Sequence, residues 1–452
     1  MRHRFFQVLQ FGILLSLIGT VSFAQTTVQD TMVLSLERAQ EIALQKNPQL
    51  QSAQKDVKKA RARVVQTRGN LMPSLNAYAQ YNHNFELPVI SIDIPGVGKQ
   101  EIPMGTKENI TAGVQAQMPL FMGFSIHSGY QIAKEGETIS HNQLTITKQQ
   151  IVLQVRQAYY NALFTKELIA VAQEALDNAQ QNLNQVQKQK DVGSASGFDL
   201  LRAKVQVANT RPQVIAAQHR FDQTLTGLRT AIGLNKEMPM TVTGQLEYTT
   251  SSLADSSLKA LQDYAYQHRL ELKNVRQQRD IQEKNLTIAR AKFMPTLSAS
   301  ANLQHQMQQE NLDMSRKDFV RSISGGLSLS IPLFSGGSHY AGVQQAQVDL
   351  RQVDDTEQQV KNMVAAEVES AYYSLIDAKE KIESQSQTID QAEESVRLAE
   401  LMYREGTTTQ LDVLNAQLAL QQARSNYSQY LLQYNVAQDQ LHKAINQFGF
   451  GN

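Results

Sequence analysis

The chain has 452 residues, no cysteine, and 43 basic against 42 acidic side chains, which excludes a disulfide framework, a thiol nucleophile and a lipidated N-terminal cysteine. The charge balance argues against a polyanionic partner, nucleic acid above all. Beyond residue 24 no apolar run approaches the roughly 20 residues of a membrane helix, and mean hydropathy is −0.38, so any crossing of a membrane must be made with strands.

The chain opens with Arg2 and Arg4, an apolar run from Phe11 to Val21, and the small-x-small pattern Ser22-Phe23-Ala24. This predicts a secretory signal peptide over residues 1–24 and an exported mature chain from Gln25. The mature chain is written twice. Met118-Pro119-Leu120-Phe121 returns 213 positions later as Ile331-Pro332-Leu333-Phe334, and Ala158-Tyr159-Tyr160 returns as Ala371-Tyr372-Tyr373. Met72-Pro73-Ser74-Leu75 matches Met294-Pro295-Thr296-Leu297 at an offset of 222, so the first copy holds nine extra residues between Leu75 and Met118. The reading is an internal two-fold sequence repeat. Its first copy is 25–233, a linker 234–257 comes next, and the second copy is 258–452.

Within each copy the period changes from helical to 2 between the two Pro motifs, predicting β-hairpins at about 73–119 and 295–332. Leu75, Ala77, Ala79 and Tyr81 alternate with polar residues except at Tyr78; Ile110, Ala112, Val114, Ala116 and Met118 do the same on the return. In the second copy Leu297, Ala299, Ala301 and Leu303 alternate, as do Leu327, Leu329 and Ile331. Each run has about the 9–11 residues of a tilted membrane strand, although a soluble sandwich strand satisfies the alternation of any one run equally. Four strands leave two open edges and cannot close a barrel alone, so oligomerisation is required. Pro73, Pro119, Pro295 and Pro332 fall at the period changes and are expected to be the helix–strand hinges. The excess of the first hairpin, Glu86 to Glu108, contains Pro88, Pro95 and Pro103 and is expected to form a cell-surface loop in which Val89 to Ile94 adds a short strand.

Long helical hairpins are predicted at about 125–233 and 338–445. The first seam runs Ile151, Val155, Ala158, Ala162, Thr165, Ile169, Ala172 and onward; its second-copy equivalent runs Val364, Val368, Ala371, Leu375, Ala378, Ile382 to Tyr403. Spacings of four and three sustained over such lengths mean knobs-into-holes packing. Each hairpin turns at a glycine, Gly193-Ser194 or Gly406-Thr407. Six residues beyond each glycine stand Asp199 and Asp412. One reading makes them helix caps; the other, in a symmetric oligomer, makes them rings of carboxylates that favour cations at a pore.

Nothing points to catalysis. The nine histidines are scattered without a metal-ligand spacing, and Ser335-Gly336-Gly337-Ser338 lacks the lysine of a phosphate loop. The expectation is a protein that is not an enzyme and carries no cofactor.

Ala43-Leu44-Gln45-Lys46-Asn47-Pro48-Gln49-Leu50, the Pro hinges, both glycine tips and Gly406-Thr407-Thr408-Thr409-Gln410-Leu411-Asp412-Val413-Leu414 together resemble the TolC-like outer-membrane efflux channels, the outer membrane factors of tripartite export systems. The resemblance covers essentially the whole mature chain. It implies a mixed fold: a homotrimer whose transmembrane β-barrel of about twelve strands, four from each subunit, is continuous with a long periplasmic α-helical coiled-coil barrel. Gln25 to Leu36, Asn235 to Ser257 and the tail after Ala444 would form the equatorial belt. The implied location is the outer membrane, among its lipids, with extension into the periplasm. The implied partners are a periplasmic adaptor docking at the tips Gly193, Ser194, Gly406 and Thr407, and an inner-membrane transporter of RND or ABC type.

By the same resemblance Asp412 lines the pore constriction, and Tyr403 and Asp199 belong to bonds that hold the tip closed. Thr408 stands where a well-known relative has an arginine and Asn415 where it has a second aspartate; Arg404 or Arg202 is the candidate replacement for the missing bond. The implied function is a passive exit duct for small toxic compounds. A type I protein-secretion channel of the same fold and a structural periplasmic coiled-coil adaptor are the alternatives.

Overall fold

The computed structural model describes residues 31–96, 98–234, 238–311 and 319–448. The expected signal peptide lies outside them, as do the start of the 25–36 segment, residues 235–237 of the linker and the end of the tail.

The first half begins with β1 (Met32–Leu34) and two consecutive helices, α1 (Leu36–Lys46) and α2 (Pro48–Gly69). Ser35 caps α1, and Asn47 ends α1 and caps α2, its side chain accepting from Gln49 N at 2.8 Å. Pro48 at the first helical position loses no bond there, because that N–H would have no partner in the helix. Strand β2 (Ser74–His83) rises away from α2; β3 (Val89–Ile94) and β4 (Gly98–Pro103) form a separate ribbon; β5 (Glu108–Met122) returns. Helix α3 (Ser125–Asp191), 67 residues, and α4 (Gly197–Ile232) make the first long hairpin.

The second half repeats this order. After β6 (Met240–Val242), parallel to β1, come α5 (Leu258–His268), α6 (Leu270–Ala291), β7 (Thr296–Gln309), β8 (Val320–Ser330), α7 (Ser338–Arg404), again 67 residues, and α8 (Gln410–Ala444). The paired short helices also agree in length, 11 residues for α1 and α5 and 22 for α2 and α6.

The predicted seams are where the helices bury their side chains. Ile151, Val155 and Ala162 of α3 pack with Leu225 and Leu228 of α4, while Val364, Val368, Leu375 and Ile382 of α7 pack with Tyr434, Ala437 and Leu441 of α8. Seam positions of α7 beyond Ile382 are only half-buried, since fewer elements flank the hairpin there. Tyr159 ties this core to the short strands, its hydroxyl donating to Leu34 O at 3.0 Å and to Thr243 O.

The four long strands form one antiparallel sheet in the order β2-β5-β7-β8, leaving β2 and β8 as edges. Rows such as Leu75–Ala116–Ala301–Gly325 share one face. By the period of two, that face carries the alternating apolar residues and the other carries Ser, Asn, Gln and Thr. Tyr78, the exception to the alternation, lies on the polar face. Its hydroxyl sits over Gly113 and bonds Asn302 Oδ1 and Gln304 Oε1, each at 3.3 Å.

One hinge is displaced from the expected place. Pro73 and Pro295 immediately precede strands and Pro332 follows one, but Pro119 lies inside β5, which continues to Met122. The register slips between Pro119 and Phe121, and this bulge accommodates the missing N–H. The chain turns into α3 instead at Gly123 and Phe124, both with positive φ (59° and 67°); a Cβ on Gly123 would stand 2.9 Å from Ala291 O.

Candidate functional site

At the far end of each long hairpin the chain reverses on a left-handed glycine, Gly193 (φ 79°) or Gly406 (φ 74°), a conformation that costs an L side chain energy. Ser194 N then bonds Gln189 O at 2.8 Å and Thr407 N bonds Met402 O at 2.9 Å, closing the helix ends. The returning helices start with capping boxes. Ser196 Oγ accepts from Asp199 N while Asp199 Oδ2 accepts from Ser196 N; Thr409 and Asp412 do the same. The capping reading is therefore right about the helix ends and shifted in residue: Ser196 and Thr409 are the caps, and the aspartates sit three positions on.

Asp412 Oδ2 also accepts from Thr408 Oγ1 at 2.7 Å. Hydrogen bonds from the Thr409 side chain, Thr408 and the Thr409 backbone hold this carboxyl below its ordinary range, so it is anionic at neutral pH. Thr408, Asp412 and Asn415 line one open groove with Asp390 and Glu394 of α7. The site is acidic over and above the one predicted carboxylate.

Tyr403 does not bond Asp199. Its hydroxyl donates to Gln189 Oε1 at 3.0 Å, linking α7 to α3 and hence hairpin to hairpin. Asp199 is committed to its own capping box and acts on Tyr403 only at a distance; burial, and then the charge of Asp199, push the phenol upward. Neither candidate arginine replaces the missing bond within the subunit. Arg404 Nε donates to Glu400 O one turn back at 3.3 Å, and Arg202 lies 4.7 Å over the Phe198 ring. Cations bridge the hairpins: Arg424 of α8 reaches Glu174 of α3 at 2.5 Å and Glu393 of α7 at 2.8 Å, and further from the tips Arg156 of α3 pairs with Asp439 of α8. Gln189 and Arg424 lie off the seams, and heptad spacing carries no signal for them.

At the other end, where strands meet helices, Phe121, Phe124, Phe293 and Phe334 are exposed, Phe334 at 91%. Apolar residues cover one sheet face above them. Exposed rings flanking an apolar strand band are the pattern of a membrane–water boundary. Among the described residues no helix is long and apolar enough to cross a membrane, and no cluster of three or more His, Asp or Glu is placed to hold a metal ion.

The sequence profile of outer membrane efflux proteins matches residues 40–234 and 261–447. The chain belongs to the outer membrane efflux protein family. This efflux protein is 24% identical over 413 residues to the alkaline protease secretion protein AprF of Pseudomonas aeruginosa, covering 90% of this chain and 84% of that one. It is 22% identical over 408 residues to the outer membrane protein TolC of Escherichia coli, covering 88% and 79%. Among solved structures it superposes on the outer-membrane channel OprN with a TM-score of 0.75 at 19% identity, covering 91% of this chain and 89% of the other. CusC gives 0.75 at 19%, covering 94% and 95%. The family is one of transport channels, not enzymes, and its place is the outer membrane.

Proposed function

We propose that this efflux protein is a homotrimeric exit duct in which three four-stranded sheets close a twelve-stranded barrel, apolar face to lipid and polar face to the lumen. The long hairpins continue it as a periplasmic α-barrel. The observation that carries this is the sheet itself: one apolar face, one polar face and two unpaired edges, β2 and β8, which only a neighbouring subunit's edges can satisfy in lipid. The chain is divided as a first repeat of 25–233, an equatorial linker of 234–257 and a second repeat of 258–452.

Cargo passes passively. An inner-membrane transporter of RND or ABC type supplies the energy through a periplasmic adaptor that docks at Gly193-Ser194 and Gly406-Thr407, and Asp412 with Tyr403 forms the gate. Purified mature protein in detergent should run as a trimer rich in both helix and strand; a monodisperse monomer, soluble without detergent and lacking strand signal, defeats the reading.

The cargo assigned is small toxic compounds. Protein secretion is kept as the second reading because the AprF name is that of a protease secretion protein. Deleting the gene should sensitise cells to small toxic compounds. Unchanged susceptibility with loss of one secreted protein would transfer the assignment to secretion.

A further inference from the structure

The two faces of the sheet treat charge in opposite ways. The polar face of all four strands carries no acidic, basic or histidine side chain; Asn, Gln, Ser, Thr, Gly, Tyr78 and Val320 fill it, with Pro119 and Met122 at the end near the helices. The apolar face, where charge is most costly in a membrane, carries four such groups, all toward the end remote from the helices: His83, Glu108, His305 and Arg321. Two of them satisfy each other: Glu108 accepts from Tyr81 at 2.8 Å and lies 2.9 Å from His83 Nδ1.

The other two have no such answer. His305 and Arg321 are directly opposite in the β7–β8 register, both exposed, and neither makes a hydrogen bond or ion pair with any described residue. Glu108 is the one acid on this face of the four strands, and it is already engaged. From Leu297, level with Phe121 in the lower aromatic row, to His305 is roughly 26 Å of strand. At the usual tilt that is about 20 Å of height, close to the ~25 Å apolar band of such barrels. The pair thus stands where the outer leaflet's hydrocarbon gives way to headgroups. A guanidinium offers paired N–H donors that match phosphate oxygens, and the imidazole beside it offers another.

We propose that Arg321 and His305 form a binding site for the phosphate of an anionic outer-leaflet lipid, one site per subunit on the lipid-facing surface of the barrel. The inference rests on the trimeric-barrel reading, which fixes this face outward.

The test uses the full mature trimer in neutral detergent, with thermal dissociation followed on adding bisphosphorylated lipid A, its dephosphorylated form, or inorganic phosphate. Bisphosphorylated lipid A should raise the dissociation temperature saturably and the dephosphorylated form should not. Arg321→Gln with His305→Gln should weaken the effect at least ten-fold, and Arg321→Lys should keep part of it. An equal rise with inorganic phosphate, an equal rise with the dephosphorylated lipid, or an undiminished response in the double variant overturns the site. Should the double variant fail to assemble, Arg321→Lys and the two lipid forms on the unsubstituted trimer still decide. If the unsubstituted protein is no trimer, the barrel reading fails first; if it is a trimer indifferent to lipid A, only this inference fails.

Discussion

Tyr403 of α7 donates a hydrogen bond of 3.0 Å to Gln189 of α3, so the two long hairpins of one chain are joined by a side-chain bond a few residues short of both tips. The tyrosine closes the seam of the second hairpin, and the glutamine comes from outside the seam of the first. Any separation of the hairpins at the tips must break this contact.

Tyr403→Phe should therefore raise the open probability of the channel in planar-bilayer recordings and leave ion selectivity unchanged, the loss being on the order of 1 kcal/mol per subunit. Gln189→Leu should do the same. The double variant should open no more than either single one, because both remove the same bond; additive effects would show that each residue acts elsewhere.

Asp412→Asn should lower cation selectivity and weaken block by multivalent cations, while retaining an oxygen that accepts from Thr409 N and so most of the assembly's thermal stability. Because the carboxyl is held below its ordinary range, it stays charged as pH falls. Selectivity should persist to about pH 3.9, the ordinary aspartate value, and fade only below it. Bilayer reversal potentials across a salt gradient measure this, and selectivity that survives the substitution would leave Asp412 a capping-box residue alone.

The clamp around Glu367 should unlock in acid. Buried Arg269 donates to Glu271, to Glu367 at 2.7 Å and to Ala444 O, and Lys443 donates to Glu367 at 2.7 Å. Burial alone would raise Glu367, but the bonds from Lys443 and Arg269 outweigh it and hold the carboxyl below its ordinary range. A depressed carboxyl contributes stability above its unfolded value and loses it as pH falls through the folded one. Dissociation temperature should thus drop below about pH 4.3. Glu367→Gln should be less stable at neutral pH and show a shallower acid slope.

The ribbon of β3 and β4 should lie outside the cell. Gly98 has a φ of 90°, so the label belongs on the adjacent exposed Lys99. Lys99→Cys should react with an impermeant maleimide on intact cells; reaction only after rupture of the outer membrane would invert the orientation.

Much of this architecture was legible because it depends on period. Val364 to Ile382 announced a helical seam by spacing of three and four, and Leu75 to Tyr81 announced a strand by spacing of two; both depend on which side of an element is dry. Pro119 misled because a proline marks a missing donor, and a strand bulge tolerates that loss as well as a hinge does. Tyr403 and Asp199 both stand at the tips, but their partners within the chain, Gln189 for one and the Ser196 capping box for the other, follow from packing and not from spacing. Gln189 and Arg424 left no mark in the sequence, because a polar side chain off a seam is indistinguishable from solvated surface until another element lies against it; His305 and Arg321 do interrupt the apolar alternation of their strands, but only the strand register sets them opposite each other.

The length of α7 turns small angles into large displacements. From Glu367, clamped by Arg269 and Lys443, to Arg404 at the tip is roughly 55 Å of continuous helix at 1.5 Å per residue. A swing on the order of 5° about that clamp would carry the tip about 5 Å sideways, which is the diameter of a side chain, without breaking a backbone hydrogen bond. The helix has the proportions of a rigid lever, with its fulcrum at the Glu367 clamp and its stroke at the Gly406 turn.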